Sequence, residues 1–198
     1  MTKRLRLVAL ALCFAACSRG SANQASATKH KYVVELDVAT DAHTKPGDPV
    51  QLAEAFKSAD KEFAVYEADD RGALTKYLDG VKLAPNKITE VQDINTPMRG
   101  GGHATEHPRS DLKTFVIERH IPGVGTFPEE RKQASSKKSV AAMAQIGDTI
   151  EWEYSYQTAE GTYCIYRAAD EETIRRHGSI TGSPITKINE VQPIAAGR

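Results

Sequence analysis

The chain has 198 residues, of which 40% are hydrophobic, and that ordinary apolar fraction excludes a wholly disordered protein. It carries 26 basic and 26 acidic residues, so no basic field exists to hold phosphates and nucleic acid is excluded as a first partner. The length suits one large domain or two small ones.

Residues 1–16 read as a secretory signal peptide. Lys3, Arg4 and Arg6 open it, and an apolar run from Leu7 to Ala16 follows, too short to span a bilayer comfortably. The end of that run, Phe14-Ala15-Ala16-Cys17, resembles a bacterial lipobox, with Phe14 standing where the family usually has Leu. The resemblance implies lipid on Cys17, a membrane partner through that lipid, and an exported protein, periplasmic or anchored to the outer membrane. Ordinary cleavage a few residues later, releasing a soluble chain, is the open alternative. Without residues 1–16 the chain carries 23 basic against 26 acidic residues. Residues 17–29 are small and polar, as in a flexible tether. With Cys13 in the leader and Cys17 at the cleavage site, Cys164 has no disulfide partner.

Residues 30–95 form a first unit. "KYVVELDV" at 31–38 is β-branched and reads as a strand. "PVQLAEAFKSAD" taken alone has the spacing of an amphipathic helix. "NKITEVQDI" at 86–94 closes the unit, and "TKINEVQPI" at 186–194 repeats it a hundred positions later. The repeat extends backwards without a gap: Gly47-Asp48 matches Gly147-Asp148, Tyr66 matches Tyr166 and Asp70 matches Asp170. The first strand matches "TFVIERHI" at 114–121 with an offset of 83, so the first copy lacks about seventeen residues. The ungapped match lays 50–57 over "TIEWEYSYQ" and favours strand there. It leaves "VATDAHTKPG" where a first helix would stand, and the sheet face so uncovered must find apolar cover, from the other copy.

Residues 96–112 are rich in Gly, Pro and charge and read as a linker. His103 and His107 have helical i, i+4 spacing there, but a glycine-rich setting offers at most weak metal contact.

Residues 113–195 form the complete copy. A strand over 114–121 is followed by a helix from Pro128 to Ile146, stopped by Gly147. "TIEWEYSYQ" alternates, with Ile150, Trp152, Tyr154 and Tyr156 on one face and Glu151, Glu153, Ser155 and Gln157 on the other. A turn and the strand "TYCIYRA" follow. Asp170 caps a helix through "EETIRRHGS", and the repeated nonapeptide is the last strand. The order β-α-β-β-α-β is the split βαβ of ferredoxin-like domains. The expected fold is therefore α+β: tandem ferredoxin-like domains paired within one chain as an internal pseudo-dimer.

Glu118-Arg119-His120-Ile121-Pro122-Gly123, Tyr163-Cys164, His177 and Ile188-Asn189-Glu190-Val191 together resemble the DUF4242 family of small bacterial proteins, which includes a Streptomyces nickel-binding protein. The resemblance covers 113–194 and implies a ferredoxin-like fold, dimeric assembly and a metal ion, nickel or another divalent transition metal. The first copy has Asp37, Ala64 and Tyr77 at the positions of His120, Cys164 and His177. The resemblance thus points to His120 and His177 as metal ligands in the second copy, where imidazole suits nickel, copper and zinc.

Each residue also has a plainer reading. His120 could bond to backbone at a strand end, His177 could favour a helix C-terminus, and Cys164 alternates with Tyr163 and Ile165 as a buried inert thiol would. Glu190 recurs as Glu90 and suggests an ion pair with Arg119 or Lys187. The stripe Trp152, Tyr154 and Tyr156 suits a sheet core, an interface or a ligand pocket. No nucleophile motif or phosphate-binding glycine loop is present. Three classes remain open: a divalent-metal binder, a small-molecule-binding or enzymatic pseudo-dimer, and an envelope interaction module.

Overall fold

The structure, a computed structural model, describes residues 29–37, 49–105 and 108–194. Cys17, the signal peptide, His107 and the segment where a first helix of the first copy would stand lie outside the described residues.

The first copy contributes strands β1 (His30–Asp37), β2 (Gln51–Lys57), β3 (Lys61–Ala68), β4 (Lys87–Glu90) and helix α1 (Arg71–Gly80). The second contributes β6 (Lys113–His120), α2 (Glu129–Ile146), β7 (Ile150–Gln157), β8 (Gly161–Ala168), α3 (Glu171–Thr181) and β9 (Lys187–Ile194). The repeat is a repeat of geometry. Asp70 and Asp170 both cap a helix in extended conformation, accepting the amides of Ala73 and Thr173 at 2.7 and 2.8 Å. Both copies pair their strands as ferredoxin-like antiparallel sheets.

The segment between the copies begins with a short strand, β5 (Asp93–Asn95), which pairs with β7 of the second copy. In return, the end of β9 pairs with β2 of the first copy. The nine strands run β4-β1-β3-β2-β9-β6-β8-β7-β5. The two ends of that order, β4 and β5, are separated by only Val91 and Gln92. Val91 N–H bonds to the carbonyl of Lys31 at 2.9 Å, and Gln92 N–H to that of Gln157 at 2.8 Å. One bent strand therefore joins both ends of the sheet and closes it into a barrel. The linker is correspondingly docked rather than loose: Gly100 lies against the backbone of Ser136, where a Cβ would meet the carbonyl oxygen at 2.6 Å.

Three apolar clusters follow from the closure. One fills the barrel and takes Val33, Phe56, Phe63 and Val65 from the first copy with Val116, Tyr156, Tyr163, Ile165 and Val191 from the second. The others lie outside the barrel, under α1 and under α2 and α3. Ile194 of the second copy packs on the cluster under α1 and supplies part of the cover expected from the partner copy.

Residues 50–57 are a strand, and the helix-like spacing has a local cause. A β-bulge between Leu52 and Glu54 places Leu52 and Ala55, three residues apart, on the same side. The same bulge recurs between Trp152 and Tyr154 and corrects the expected stripe. Trp152 joins Ile150 under the helices, while Tyr154 and Tyr156 turn into the barrel. The ion pair expected for Glu190 is also corrected. It bonds Lys113 at 2.9 Å, as its counterpart Glu90 bonds His30 at 2.8 Å, because these partners face it across the neighbouring strand.

Candidate functional site

His120 is the last residue of β6 and is exposed; its N–H donates to Thr186 Oγ1 at 2.9 Å. Strand alternation puts it with Val116 and Glu118 on the barrel side. It lines a cavity of about 110 Å³ at the barrel mouth with Glu118, Glu160, Thr158, Tyr163 and Lys87, and Lys87 pairs with Glu160 at 2.6 Å. Gly161, which also lines this cavity, stands where the first copy has Lys61. Gly161 packs directly on the backbone of Arg119, which leaves no room for a side chain.

His177 lies elsewhere. It is 1% exposed on α3, its ring 5.1 Å from that of Tyr166. Neither ring nitrogen makes a well-formed hydrogen bond, and the polar neighbour that favours the charged ring is the backbone of Ser139. Burial, aided by the charge of Arg119, pushes its pKa down to about 4, so the imidazole is neutral across the physiological range. Cys164 is buried on the same side of the sheet as Tyr166, two residues away on β8, and its sulfur is 3.0 Å from Thr162 Oγ1. His120 pairs with Gly161 and Phe115 with Tyr166. The two histidines are thus separated by five ladder positions, roughly 17 Å, and by the thickness of the sheet. The structure sets His177 against Tyr166, on the face of β8 that also carries Cys164, and does not bring it to His120.

Between α2 and the sheet lies a second cavity, of about 50 Å³, lined by Arg119, Trp152, Ser155, Gln157, Thr162, Cys164, Tyr166 and Ser139, among others. Arg119 is 6% exposed, and its Nη1 donates to the carbonyls of Pro184 at 2.8 Å and Ser183 at 3.4 Å. Four of the matching positions in the first copy are apolar, Leu36 for Arg119, Leu52 for Trp152, Ala55 for Ser155 and Ala64 for Cys164, all within the cluster under α1, while buried Glu62 stands for Thr162. The scaffold folds with Leu36 in place of Arg119, so the fold does not demand a guanidinium at that position. The sequence held the signal for Arg119 in its pairing with Leu36.

In kind, the donors suit a divalent transition metal: a buried neutral imidazole, and a thiol on the strand against which its ring packs. In number they do not make a closed centre. Among the described residues no three or more His, Cys, Asp or Glu side chains lie close enough together to hold a metal ion. His103 is exposed and gathers no further donors.

The barrel interior carries its own polar bonds. Glu54 accepts the hydroxyls of Tyr154 and, at 2.5 Å, Tyr156. Burial raises its pKa, against the lowering effect of the two hydroxyls, and raises both tyrosines. Glu35 accepts Lys61 at 2.5 Å and Tyr163 at 2.6 Å. The tyrosines expected as core, interface or pocket are packed between the copies.

The family model described as "Nickel responsive protein SCO4226-like" matches residues 115–191. No curated protein matches the chain. Among solved structures, a mutant chlorite dismutase from Candidatus Nitrospira defluvii is similar at 9% identity and a TM-score of 0.47, over 85% of this chain and 92% of that one. A candidate monooxygenase from Lactobacillus acidophilus is similar at 12% identity and a TM-score of 0.41, over 84% and 94%. The sequence motifs, the βαββαβ order and the family match coincide on one segment, residues 115–191, the core of the second copy, which is similar to the SCO4226-like nickel-responsive proteins.

Proposed function

We propose that the protein is a divalent-metal-binding module, with nickel the preferred ion, in which the second copy carries the ligands and the first serves as its structural partner. The observation that carries this reading is the buried, neutral imidazole of His177, whose ring nitrogens make no well-formed hydrogen bond, within the segment that matches a nickel-responsive family. His177 and Cys164 would hold the ion, and the bound metal would supply a Lewis-acidic centre with open positions. Two protein donors leave the remaining positions to water or small ligands, which suits a weak, exchangeable site. His120 stands outside this set. The same proposal includes export and a lipid on Cys17, supported by the basic, apolar and small-residue order of the leader.

Calorimetric titration of nickel into the protein tests the site. One ion per chain should bind, with affinity reduced at least about tenfold by His177→Ala or Cys164→Ser and within about twofold of wild type in His120→Ala. Absence of nickel binding by wild type overturns the function, and loss of affinity in His120→Ala alone moves the site to the barrel mouth. Mass spectrometry of the native N-terminus tests the lipid.

A further inference from the structure

Arg119 is a buried cation without a carboxylate. Among the described residues it forms no salt bridge, and no Asp or Glu lines the cavity between α2 and the sheet in which it sits. Its bonds to the two loop carbonyls use Nη1 only. Among the described residues Nε and Nη2 make no hydrogen bond, and together they form the fork that matches a carboxylate in a bidentate pair.

The rest of the lining agrees with an anion. Ser135, Ser139, Thr162 and Tyr166 bring hydroxyls to the same cavity. The Oε1 of Gln157 is buried there without a partner. Amide oxygen and nitrogen exchange places by a simple flip, and the flipped amide would present a donor to the cavity. Leu36 in the first copy shows that the scaffold does not need a guanidinium at this position. A buried charge kept where hydrocarbon would serve calls for a counter-charge.

We infer that this cavity binds a small carboxylate on the Arg119 guanidinium. A cavity of about 50 Å³ holds a few heavy atoms, the size of formate or acetate. The anion needs no metal. It would also remove the repulsion between Arg119 and any dication held by His177 and Cys164, but the inference goes beyond the nickel reading and stands without it.

Trp152 lines the cavity and is the only tryptophan in the chain, so its fluorescence reports on this site alone. Acetate titrated into the chelator-treated protein, at constant ionic strength, should give a saturable fluorescence change. Acetamide, its neutral isostere, should give none. Arg119→Gln should raise the half-saturating concentration at least about tenfold. Ser135→Leu, at an exposed position of the helix that overhangs the cavity, should block the response with Arg119 left in place. Equal responses to acetate and acetamide, or an unsaturable response, overturn the inference. So does an unchanged half-saturation in Arg119→Gln, or in Ser135→Leu should the arginine variant fail to fold. Failure of nickel to bind leaves this result unaffected, and failure of acetate to bind leaves the nickel titration unaffected.

Discussion

The hydroxyl of Tyr163 in the second copy donates to the carboxylate of Glu35 in the first, at 2.6 Å and across 128 positions of sequence. The bond lies inside the barrel, so it reports directly on the pairing of the copies. Tyr163→Phe should fit sterically, since Phe63 occupies the matching place, and should cost about 1.5–3 kcal/mol for the lost bond to a charged acceptor. Urea denaturation measures it. The same carboxylate carries an acid response. Burial raises the Glu35 pKa, but the bonds from Lys61 and Tyr163 outweigh burial and hold it below the usual range. Its contribution is therefore present above about pH 4.3 and lost as pH falls through the depressed value. The Tyr163→Phe variant should lose less stability than wild type over that interval.

Glu54 should behave in the opposite sense. Its pKa is raised, chiefly by burial, so the native state prefers it protonated. Stability falls as pH rises through the raised value. Glu54→Gln should then melt above wild type at pH 8, with the difference narrowing as the solution is acidified. Thermal melts at both pH values decide, and a variant less stable at pH 8 would assign the larger effect to the tyrosine bonds.

The crossing segment depends on a charged clasp. Lys132 Nζ, 9% exposed, donates to Asp93 at 2.7 Å and to the carbonyl of Gly125 at 2.8 Å, while Arg99 holds the same aspartate at 2.9 Å. Ser136 bonds Asn95 at 2.9 Å beside it. Lys132→Met should cost about 2 kcal/mol and speed amide exchange in β5 more than in β6. Equal exchange in the two strands would show that the clasp is not what holds β5.

Residues 108–194 alone would expose Val116, Tyr156, Tyr163, Ile165 and Val191, which the first copy covers in the intact chain. An exposed patch of that kind seeks a partner. The isolated half should sediment as a homodimer. A stable, soluble monomer would show that barrel closure is dispensable.

The sequence made the fold legible because a repeat supplies two readings of each element. The helix-like pattern at 50–57 resolved to strand once laid over "TIEWEYSYQ". Period-two reasoning failed at one place, the bulge before Tyr154, where a single extra residue sends Trp152 to the opposite side of the sheet. The three residues of β5 were hidden in a stretch rich in glycine and proline, since their pairing is to a strand sixty positions away and local composition carries no trace of it. His177 was readable by type, but its burial against Tyr166 is a property of packing. Arg119 was in view within its motif, and only the contrast with Leu36 marks it as unneeded by the scaffold.

Because β4 and β5 are one strand, the halves of this barrel can never be diluted apart. A pair of separate chains loses its interface as concentration falls, whereas tethered partners meet at an effective concentration in the millimolar range. The fused chain is also free of the constraint that any change in one half must appear in the other. A symmetric pair would present its polar cavity twice. Here one half has Leu36 beneath α1 where the other has the guanidinium of Arg119, so each molecule offers that guanidinium once and its saturation curve should be a simple hyperbola.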